Sequence, residues 1–349
     1  MKSLIKLITI NLITFFLLII LIELFFGYWF DKNNFGPYMR EHRLKKILYK
    51  VNYNQKNYEY TYLRNYNAFR GQDINPEHIK IIMIGGSTTD ERYKPEKFTI
   101  VEQINQKLEK NNYKDKIINA GIEGQSTFGH LANFKYWFNK IEGLKPKFII
   151  FYIGINDAIF FKNTKVDELT DGWIENPNSI ERFVDNIKSR SIFYDLIRKT
   201  KYKYYINKSK IVIYDLDYIQ KRKKNKNKYI NYEEKLKIYN YENLKIMNTE
   251  LIEKFKSNID NLYKLTKNFG AEPIFINQSA QQGDWSEKLF ILNNLLIFHC
   301  TKKGYYCIDL NKNLIGKDSY WWDGIHTTPE GSKEISNIIF PELFKILKK

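Results

Sequence analysis

The chain has 349 residues, of which 43% are hydrophobic, so it is long enough and apolar enough to bury a sizeable core. These values exclude a chain that is disordered throughout. The formal net charge is +17, but the lysine and arginine residues are spread along the chain and do not gather on one motif. We therefore expect no nucleic-acid partner, and an anionic lipid headgroup or acidic glycan fits this charge better.

The first feature in chain order is an apolar segment from Leu7 to Phe30, in which Glu23 is the only charged residue. As a helix it would extend about 36 Å, enough to cross a hydrocarbon core of about 30 Å. The apolar core of a signal peptide is shorter and ends in small residues, whereas this segment ends in aromatic residues that include Tyr28 and Trp29. We predict an uncleaved, single-pass transmembrane anchor over residues 1–31.

Two properties of this anchor have alternative interpretations. Glu23 is interpreted as a side chain near the exit face that reaches for water, and the alternative is a functional or pairing role. Basic residues follow the span and by simple counting would favour a cytoplasmic domain: Arg40, Arg43, Lys45, Lys46 and Lys50. They resemble the start of a folded domain, however, and long translocated domains largely ignore the charge rule. We expect the domain to be extracytoplasmic, in the periplasm or at the cell surface.

Residues 32–78 are interpreted as a connecting segment, and from residue 79 onward short β-branched runs alternate with amphipathic stretches. This alternation is typical of an α/β domain with a mostly parallel sheet. The predicted strands are Lys80–Ile84, Lys116–Asn119, Phe148–Ile153, Pro273–Asn277 and Tyr305–Leu310. The predicted helices are Phe98–Lys110, Phe128–Lys140, Asn248–Phe269, Ser286–Lys302 and Pro329–Lys348. The domain is predicted over residues 79–349, with a helical insertion at about 158–245 that would cap the functional site.

Ser87 is the first candidate for chemistry, because ligands gather at the carboxyl ends of the strands in open α/β sheets. It follows the first predicted strand and Gly86, in a turn that glycine permits. The residue could be an exposed nucleophile or a turn serine that caps the next helix. The nucleophile elbow of α/β-hydrolases is disfavoured, since Thr89 stands where G-x-S-x-G requires glycine.

The next two strand ends offer hydrogen-bond donors. The second strand leads into a loop that contains Gly124, where glycine lets the backbone N–H approach a ligand closely, although glycines are common in such loops. The third strand is followed by Asn156 and Asp157. The Asn156 carboxamide could serve an oxyanion hole or could cap the following helix.

Asp323 and His326 precede the last predicted helix and lie three residues apart. At this spacing a carboxylate can orient an imidazole that accepts a proton from serine. Among the five histidines, His326 alone has an aspartate at this spacing in a predicted rim loop. His130, a distant rival, is interpreted as a residue on the surface of a helix.

The two cysteines, Cys300 and Cys307, form neither a CxxC pair nor a Cys/His cluster with the spacing of metal ligands. A disulfide between them is possible. Cys300 is predicted at a helix end and Cys307 in a strand, and two small buried side chains are the preferred interpretation. No metal is expected.

Four segments, here called blocks, contain Ser87, Gly124, Asn156, and Asp323 with His326. In this order and on these elements they resemble the SGNH (GDSL-type) hydrolase family over roughly residues 79–349, excluding most of the insertion. The resemblance implies a three-layer α/β/α, flavodoxin-like fold with a five-stranded sheet. It also implies that Ser87 is the nucleophile of a triad with Asp323 and His326, and that the backbone N–H of Ser87 forms an oxyanion hole with Gly124 and Asn156.

Gly86 stands where the GDS form of the first block has an aspartate that is not the nucleophile. The Gly-Gly-Ser-Thr-Thr version behind an N-terminal anchor is similar to bacterial members associated with envelope polysaccharides. The resemblance therefore implies a serine esterase that needs no cofactor and acts on acyl esters, O-acetyl esters among them, of envelope polysaccharide or lipid. An O-acyltransferase with the same triad is the alternative, and an inactive, membrane-tethered glycan-binding or assembly protein is the second.

Overall fold

The computed structural model of the protein describes residues 2–30, 39, 42–43, 45–160, 179–197, 200, 212–223 and 228–349. Its first element is helix α1, Lys2–Phe26. Within it Ser3–Phe26 has a mean hydropathy of 2.6, and none of its most apolar stretch is buried. By length and composition the helix could cross a membrane as an anchor or serve as a signal sequence.

The predicted parallel sheet is confirmed. Its five strands are all parallel, in the order β4-β3-β5-β7-β8. Their bounds are Ile81–Gly85 for β3, Ile117–Asn119 for β4, Phe148–Ile153 for β5, Glu272–Asn277 for β7 and Tyr306–Ile308 for β8. Numbered by their own sequence, the strands are ordered 2-1-3-4-5, which is the flavodoxin-like arrangement with its switch point between β3 and β5.

Helices cover both faces of this sheet. Successive side chains of a strand point to opposite faces, and here both sets are apolar and need cover. Ile82 and Ile84 pack in the core of one face, and Ile81 and Met83 pack in the core of the other. The first face is covered by Thr127–Tyr136, Thr249–Asn268 and Ser286–Lys303, and the second by Ile100–Lys110 and Pro329–Leu347. The three predicted layers are thus confirmed.

A second, three-stranded sheet takes two of its strands from the region that was interpreted only as a connecting segment and the third from the insertion. Strands β1 (Lys45–Tyr53) and β2 (Lys56–Arg64) form an antiparallel hairpin, and β6 (Val212–Asp215) pairs with β1. The sequence signal for it is an alternation of tyrosines with polar residues, which buries one face and leaves the other in water. Near β2, Arg70 N donates to Asn119 O at 2.9 Å, which ties this sheet to edge strand β4.

The insertion predicted at 158–245 is helical in the part that the structure describes. Its helices include Ser179–Arg190, Leu216–Lys223, Tyr232–Ile238 and Tyr241–Met247, and β6 (Val212–Asp215) lies among them. A basic stretch in the sequence, residues 221–226, begins in the second of these helices, and its remainder lies outside the described residues.

The interpretation of Cys300 and Cys307 as unpaired is corrected, since the structure joins them in a disulfide. Cys300 lies near the end of helix Ser286–Lys303, and Gly304 at φ 70° turns the chain back toward β8. The turn brings the two Cα atoms within 6.2 Å, a separation that a disulfide can bridge.

Candidate active site

Ser87, His326 and Asp323 form a continuous line of hydrogen bonds at the carboxyl edge of the parallel sheet. The distance from Ser87 Oγ to His326 Nε2 is 2.8 Å, and that from His326 Nδ1 to Asp323 Oδ2 is 2.6 Å. With an ionised Asp323 as acceptor, Nδ1 carries the ring proton and Nε2 accepts from the serine hydroxyl. The structure therefore joins the three residues that the sequence analysis proposed for a triad.

The loop before the last helix holds Asp323 in its ionised form. Asp323 Oδ1 accepts from the backbone N–H groups of Ile325 and His326 at 3.1 and 2.8 Å. Burial by itself would raise the pKa of Asp323, but the His326 ring and these backbone bonds outweigh it, and the pKa lies below its usual value. An ionised carboxylate at this position fixes the tautomer and the orientation of the ring.

Gly86 sits where the first three blocks meet. It precedes the short helix Ser87–Asp90 that starts with the serine. A Cβ at position 86 would overlap Asn156 Nδ2 and would lie 3.2 Å from Gln125 O. The φ of Gly86 is −85°, so glycine serves here to leave space for the Asn156 side chain and not for its backbone conformation.

The predicted donors lie around this contact point. Asn156 Nδ2 donates one hydrogen to Gln125 O at 2.7 Å, which leaves its second hydrogen for another acceptor. Gly124 has φ 78°, a backbone conformation that favours glycine. Within the described part of the chain, no hydrogen bond engages the backbone N–H of Ser87 or Gly124.

A buried charged cluster, which the sequence analysis did not identify, lies behind the His326 loop. Lys94 Nζ contacts Glu91 Oε1 at 2.5 Å and Thr327 Oγ1 at 3.0 Å, and it also donates to Ser332. Burial lowers the pKa of Lys94, while the Glu91 carboxylate opposes this shift. Because Glu91 and Lys94 follow the serine helix and Thr327 follows His326, the cluster joins the two sides of the site. Two opposite charges three residues apart are normally exposed, so nothing in the sequence marks them as buried.

Gln278, which follows β7, is a second residue that the sequence analysis missed. Its Oε1 accepts from the backbone N–H of Ile155 at 2.7 Å, and its Nε2 donates to Thr88 Oγ1 at 2.8 Å. It therefore fixes the residues next to Asn156 and Ser87 relative to each other. Its place just beyond the end of a parallel strand is the only sequence signal that could have pointed to it.

Asp90 ends the serine helix and is the carboxylate of a buried ion cluster to which the hairpin contributes Tyr62 and Arg64. Its carboxylate contacts Arg64 at 3.0 Å and Arg92 at 3.1 Å, and it accepts from Tyr62 Oη at 2.7 Å. Burial would raise the pKa of Asp90, but the Arg64, Arg92 and Arg70 guanidinium groups dominate and lower it. The segment before β3 is thus packed against the helix that positions Ser87.

Tyrosine rings line the side of the site next to His326. The Tyr93 ring meets the His326 ring edge to face at 6.5 Å, and it packs on Tyr214 of β6 at 4.5 Å. Tyr49 of β1 packs against both of these tyrosines. The hairpin and the insertion therefore meet in an aromatic wall, defined by Tyr49, Tyr93 and Tyr214, that adjoins the histidine.

His130 is buried and not on the helix surface as the sequence analysis expected. It is 1% exposed on helix Thr127–Tyr136, with Nδ1 3.3 Å from Gln125 Oε1. Burial lowers the pKa of His130 to about 3, so the ring is neutral at physiological pH. His130 contacts Gln125, whose carbonyl binds Asn156, and it does not contact Ser87. The histidine bonded to Ser87 is His326.

The matching family model, described as GDSL-like lipase/acylhydrolase, covers residues 81–339. No curated protein matches the chain. Solved structures that resemble it include TesA, at 11% identity and TM-score 0.44 over 76% of this chain and 99% of that one. A variant of Axe2, an acetyl xylan esterase from Geobacillus stearothermophilus, has 11% identity and TM-score 0.43 over 76% and 94% of the two chains. The esterase EstA from Pseudoalteromonas sp. has 12% identity and TM-score 0.43 over 77% and 99%.

These structural likenesses are too remote to say anything about the substrate. The family model is different, because it spans more than half of the chain. It begins at the first residue of β3, before the block with Ser87, and it ends within the last helix, after the block with His326. The chain therefore belongs to the GDSL-like lipase/acylhydrolase family.

Proposed function

We propose that the protein is a serine esterase that cleaves acyl esters with Ser87 as nucleophile, His326 as general base and Asp323 as the group that orients His326. The observation that carries the proposal is the hydrogen-bonded line from Ser87 Oγ through His326 to Asp323, at 2.8 and 2.6 Å. A nucleophile within hydrogen-bond reach of a base that a third group orients is the arrangement that activates a serine hydroxyl.

In this mechanism His326 Nε2 takes the proton from Ser87 as Oγ attacks the ester carbonyl carbon. The tetrahedral intermediate collapses when His326 gives that proton to the leaving alcohol oxygen, which leaves the acyl group on Ser87. Water then attacks the acyl-enzyme with His326 again as base, and the acid is released as the bond between Oγ and the acyl carbon breaks and His326 returns the proton to Ser87 Oγ. The ionised Asp323 stabilises the imidazolium that forms in both steps.

The oxyanion is proposed to accept hydrogen bonds from the backbone N–H groups of Ser87 and Gly124 and from Asn156 Nδ2. Support comes from the position of Asn156 beside Gly86 and from its second hydrogen, which the bond to Gln125 does not use. One such donor typically contributes about 10²–10³ in kcat, or about 2.7–4 kcal/mol, because it is aimed where charge develops.

For the substrate, we propose O-acyl groups, with O-acetyl esters of envelope polysaccharide as the first class to test. The aromatic wall supports this choice, since rings beside the base offer an apolar face to a sugar ring or an acyl chain. A sugar hydroxyl in place of water as the second nucleophile would make the same triad an O-acyltransferase. Incubation with an activated acetyl ester and oligosaccharide acceptors separates the two, since only a transferase yields acetylated oligosaccharide.

We propose that α1 anchors the protein in a membrane and that the catalytic domain lies outside the cytoplasm. The Cys300–Cys307 disulfide supports this location, because disulfides persist in oxidising compartments. A reporter enzyme that works only outside the cytoplasm, fused after Lys349, is expected to be active. A fusion that works only in the cytoplasm would reverse the orientation.

The decisive test of the nucleophile is Ser87→Ala in the full chain. The variant is expected to lose ester turnover and labelling by a fluorophosphonate, with an unchanged melting temperature, because a rim hydroxyl contributes little packing. Ser126→Ala is the matched control, since Ser126 caps helix Thr127–Tyr136 and its loss should affect stability more than turnover. Full labelling of Ser87→Ala, with loss of labelling in Ser126→Ala, would move the nucleophile to Ser126.

A further inference from the structure

Helix Ser179–Arg190 of the insertion carries an exposed apolar stripe. Ile180, Phe183, Val184 and Ile187 recur with the spacing of one helix face, and all four side chains are exposed, Phe183 by 66%. The remaining positions of the helix are polar in sequence. A large apolar face that is exposed on a soluble surface marks a binding site for a protein, a ligand or a membrane.

The end of this helix is bonded to the last turns of α1. Tyr28 N donates to Arg190 O at 2.8 Å. The Glu23 carboxylate accepts from Ser191 Oγ at 2.6 Å, from the backbone N–H of Ile192 at 3.1 Å and from Trp29 Nε1 at 3.0 Å. The only charged residue in the apolar segment therefore has a structural partner, since its oxygen atoms bind donors just beyond the insertion helix.

The contact between Glu23 and the residues after helix Ser179–Arg190 sets the depth of that helix relative to a membrane that α1 would span. Glu23 lies in the last turns of α1, on the side from which the chain continues to the catalytic domain. If α1 spans a bilayer, as proposed above, this end of it lies at the interface, where Tyr28 and Trp29 are suited to sit. The attached end of helix Ser179–Arg190 then lies at the same level.

We propose that helix Ser179–Arg190 lies in the membrane interface on the side of the catalytic domain, with its apolar stripe in the lipid. The inference rests on the proposed anchoring by α1. An amphipathic helix with one apolar face and a polar face that carries cations is the kind of element that binds in the plane of a bilayer surface. The domain would then be attached at two points, by the span and by this helix, which restricts its rotation about the anchor.

The occupant of the stripe is a lipid surface, because the stripe adjoins an apolar helix whose length fits a bilayer. The positive charge near the end of the helix also favours a lipid surface. Lys188 and Arg190 lie in the last turn of the helix, and the whole chain carries a net charge of +17, which favours anionic headgroups. The same contact explains a carboxylate within the apolar segment, because several donors bind the Glu23 oxygen atoms and the residue joins α1 to the end of helix Ser179–Arg190.

The test uses the full chain in vesicles of phosphatidylcholine and phosphatidylglycerol, with an environment-sensitive fluorophore on single introduced cysteines. Phe183→Cys places the label on the stripe. Ser189→Cys is the matched control on the opposite side of the helix, because nine residues at about 100° each place it half a turn from Ile180. Leu17→Cys, in the middle of α1, reports on the anchor itself. The native cysteines are paired in a disulfide and stay unlabelled without reductant.

We expect lipids with a quencher on their acyl chains to quench the labels at 183 and 17, and aqueous iodide to quench the label at 189. A label at 183 that iodide quenches as strongly as the label at 189, with the label at 17 still quenched by lipid, would overturn the interfacial helix and leave the anchor intact. Protection of the label at 183 from both quenchers would show that protein covers the stripe, which also overturns the proposal. A label at 17 that lipid does not quench would refute the anchor and the helix together, while the esterase proposal is tested separately through Ser87.

Discussion

Asn156→Ala tests whether this side chain has a catalytic role besides its structural one, because one hydrogen of Nδ2 binds Gln125 and the other is proposed to bind the oxyanion. Asn156 Nδ2 donates to the buried carbonyl of Gln125 at 2.7 Å, so the substitution leaves that carbonyl without this donor. The expected loss in the free energy of unfolding is about 1–3 kcal/mol. If the second hydrogen binds the oxyanion, kcat also falls by about 10²–10³ with little change in KM, since the donor acts mainly on charge that develops in the transition state.

The assay is steady-state hydrolysis of an activated acetyl ester, at a temperature where each variant is fully folded by circular dichroism. Asn133→Ala is the matched control. Asn133 exchanges two buried hydrogen bonds with the side chain of Gln125, at 2.9 and 3.0 Å, and it has no proposed role in the oxyanion hole. It should lose similar stability and keep a kcat within a few-fold of the parent. Equal losses of kcat in the two variants, or a near-normal kcat for Asn156→Ala, would refute the proposed role.

Three further predictions concern Gly86, Asp90 and the disulfide. Gly86→Ala is expected to lower kcat by about 10² with little effect on KM, because its Cβ overlaps Asn156 Nδ2 and displaces the donor, and an unchanged kcat would show that Asn156 can move at no cost. Asp90→Ala should lower the free energy of unfolding at pH 7 by about 3–5 kcal/mol, since it leaves buried guanidinium groups without their carboxylate. The folded-state pKa of Asp90 is depressed, so its contribution is present above an unfolded pKa of about 3.9 and is lost as the pH falls through the folded-state value. Urea unfolding from pH 7 to pH 3 should therefore show a steeper acid loss in the parent than in Asp90→Ala, and parallel curves would contradict the depressed pKa. Replacing Cys300 and Cys307 together by alanine should cost about 2.5 kcal/mol in urea without reductant, and two thiols that react with maleimide in the unfolded, unreduced parent would contradict the disulfide.

The sequence alone predicted the bounds of the five central strands to within two residues at every end. Buried parallel strands such as Phe148–Ile153 are local apolar runs, and their signal does not depend on the rest of the chain. Ser87 was a candidate by the same logic, because polar residues that directly follow such strands meet at one edge of the sheet. Its place in a triad with Asp323 and His326 was implied by the family resemblance. The spacing of Asp323 and His326 within one loop was also a local signal.

The tertiary structure decided which charged and polar residues are buried. Lysine and aspartate are residue types that usually lie on the surface. Lys94 is buried because Thr327 and Ser332 bind it, and Asp90 is buried because Arg64 binds it, and these partners are distant in sequence. Such partners cannot be inferred from local pattern, since burial of a charge is favourable only when the folded chain provides its counter-charge.

The tertiary structure also decided the disulfide and the contact of Glu23 with Ser191. The disulfide depends on the turn at Gly304, and Glu23 and Ser191 lie 168 residues apart in the chain. The hairpin, by contrast, had a local signal in its alternation of tyrosines with polar residues, which the sequence analysis missed. The sequence thus determined the sheet and the order of the blocks, because these depend on local apolar pattern and on residue type, and through the family resemblance it named the candidate site residues. Only the tertiary structure decided how the site is held in place and how the insertion meets the N-terminal helix, because those contacts join residues that are far apart in the chain.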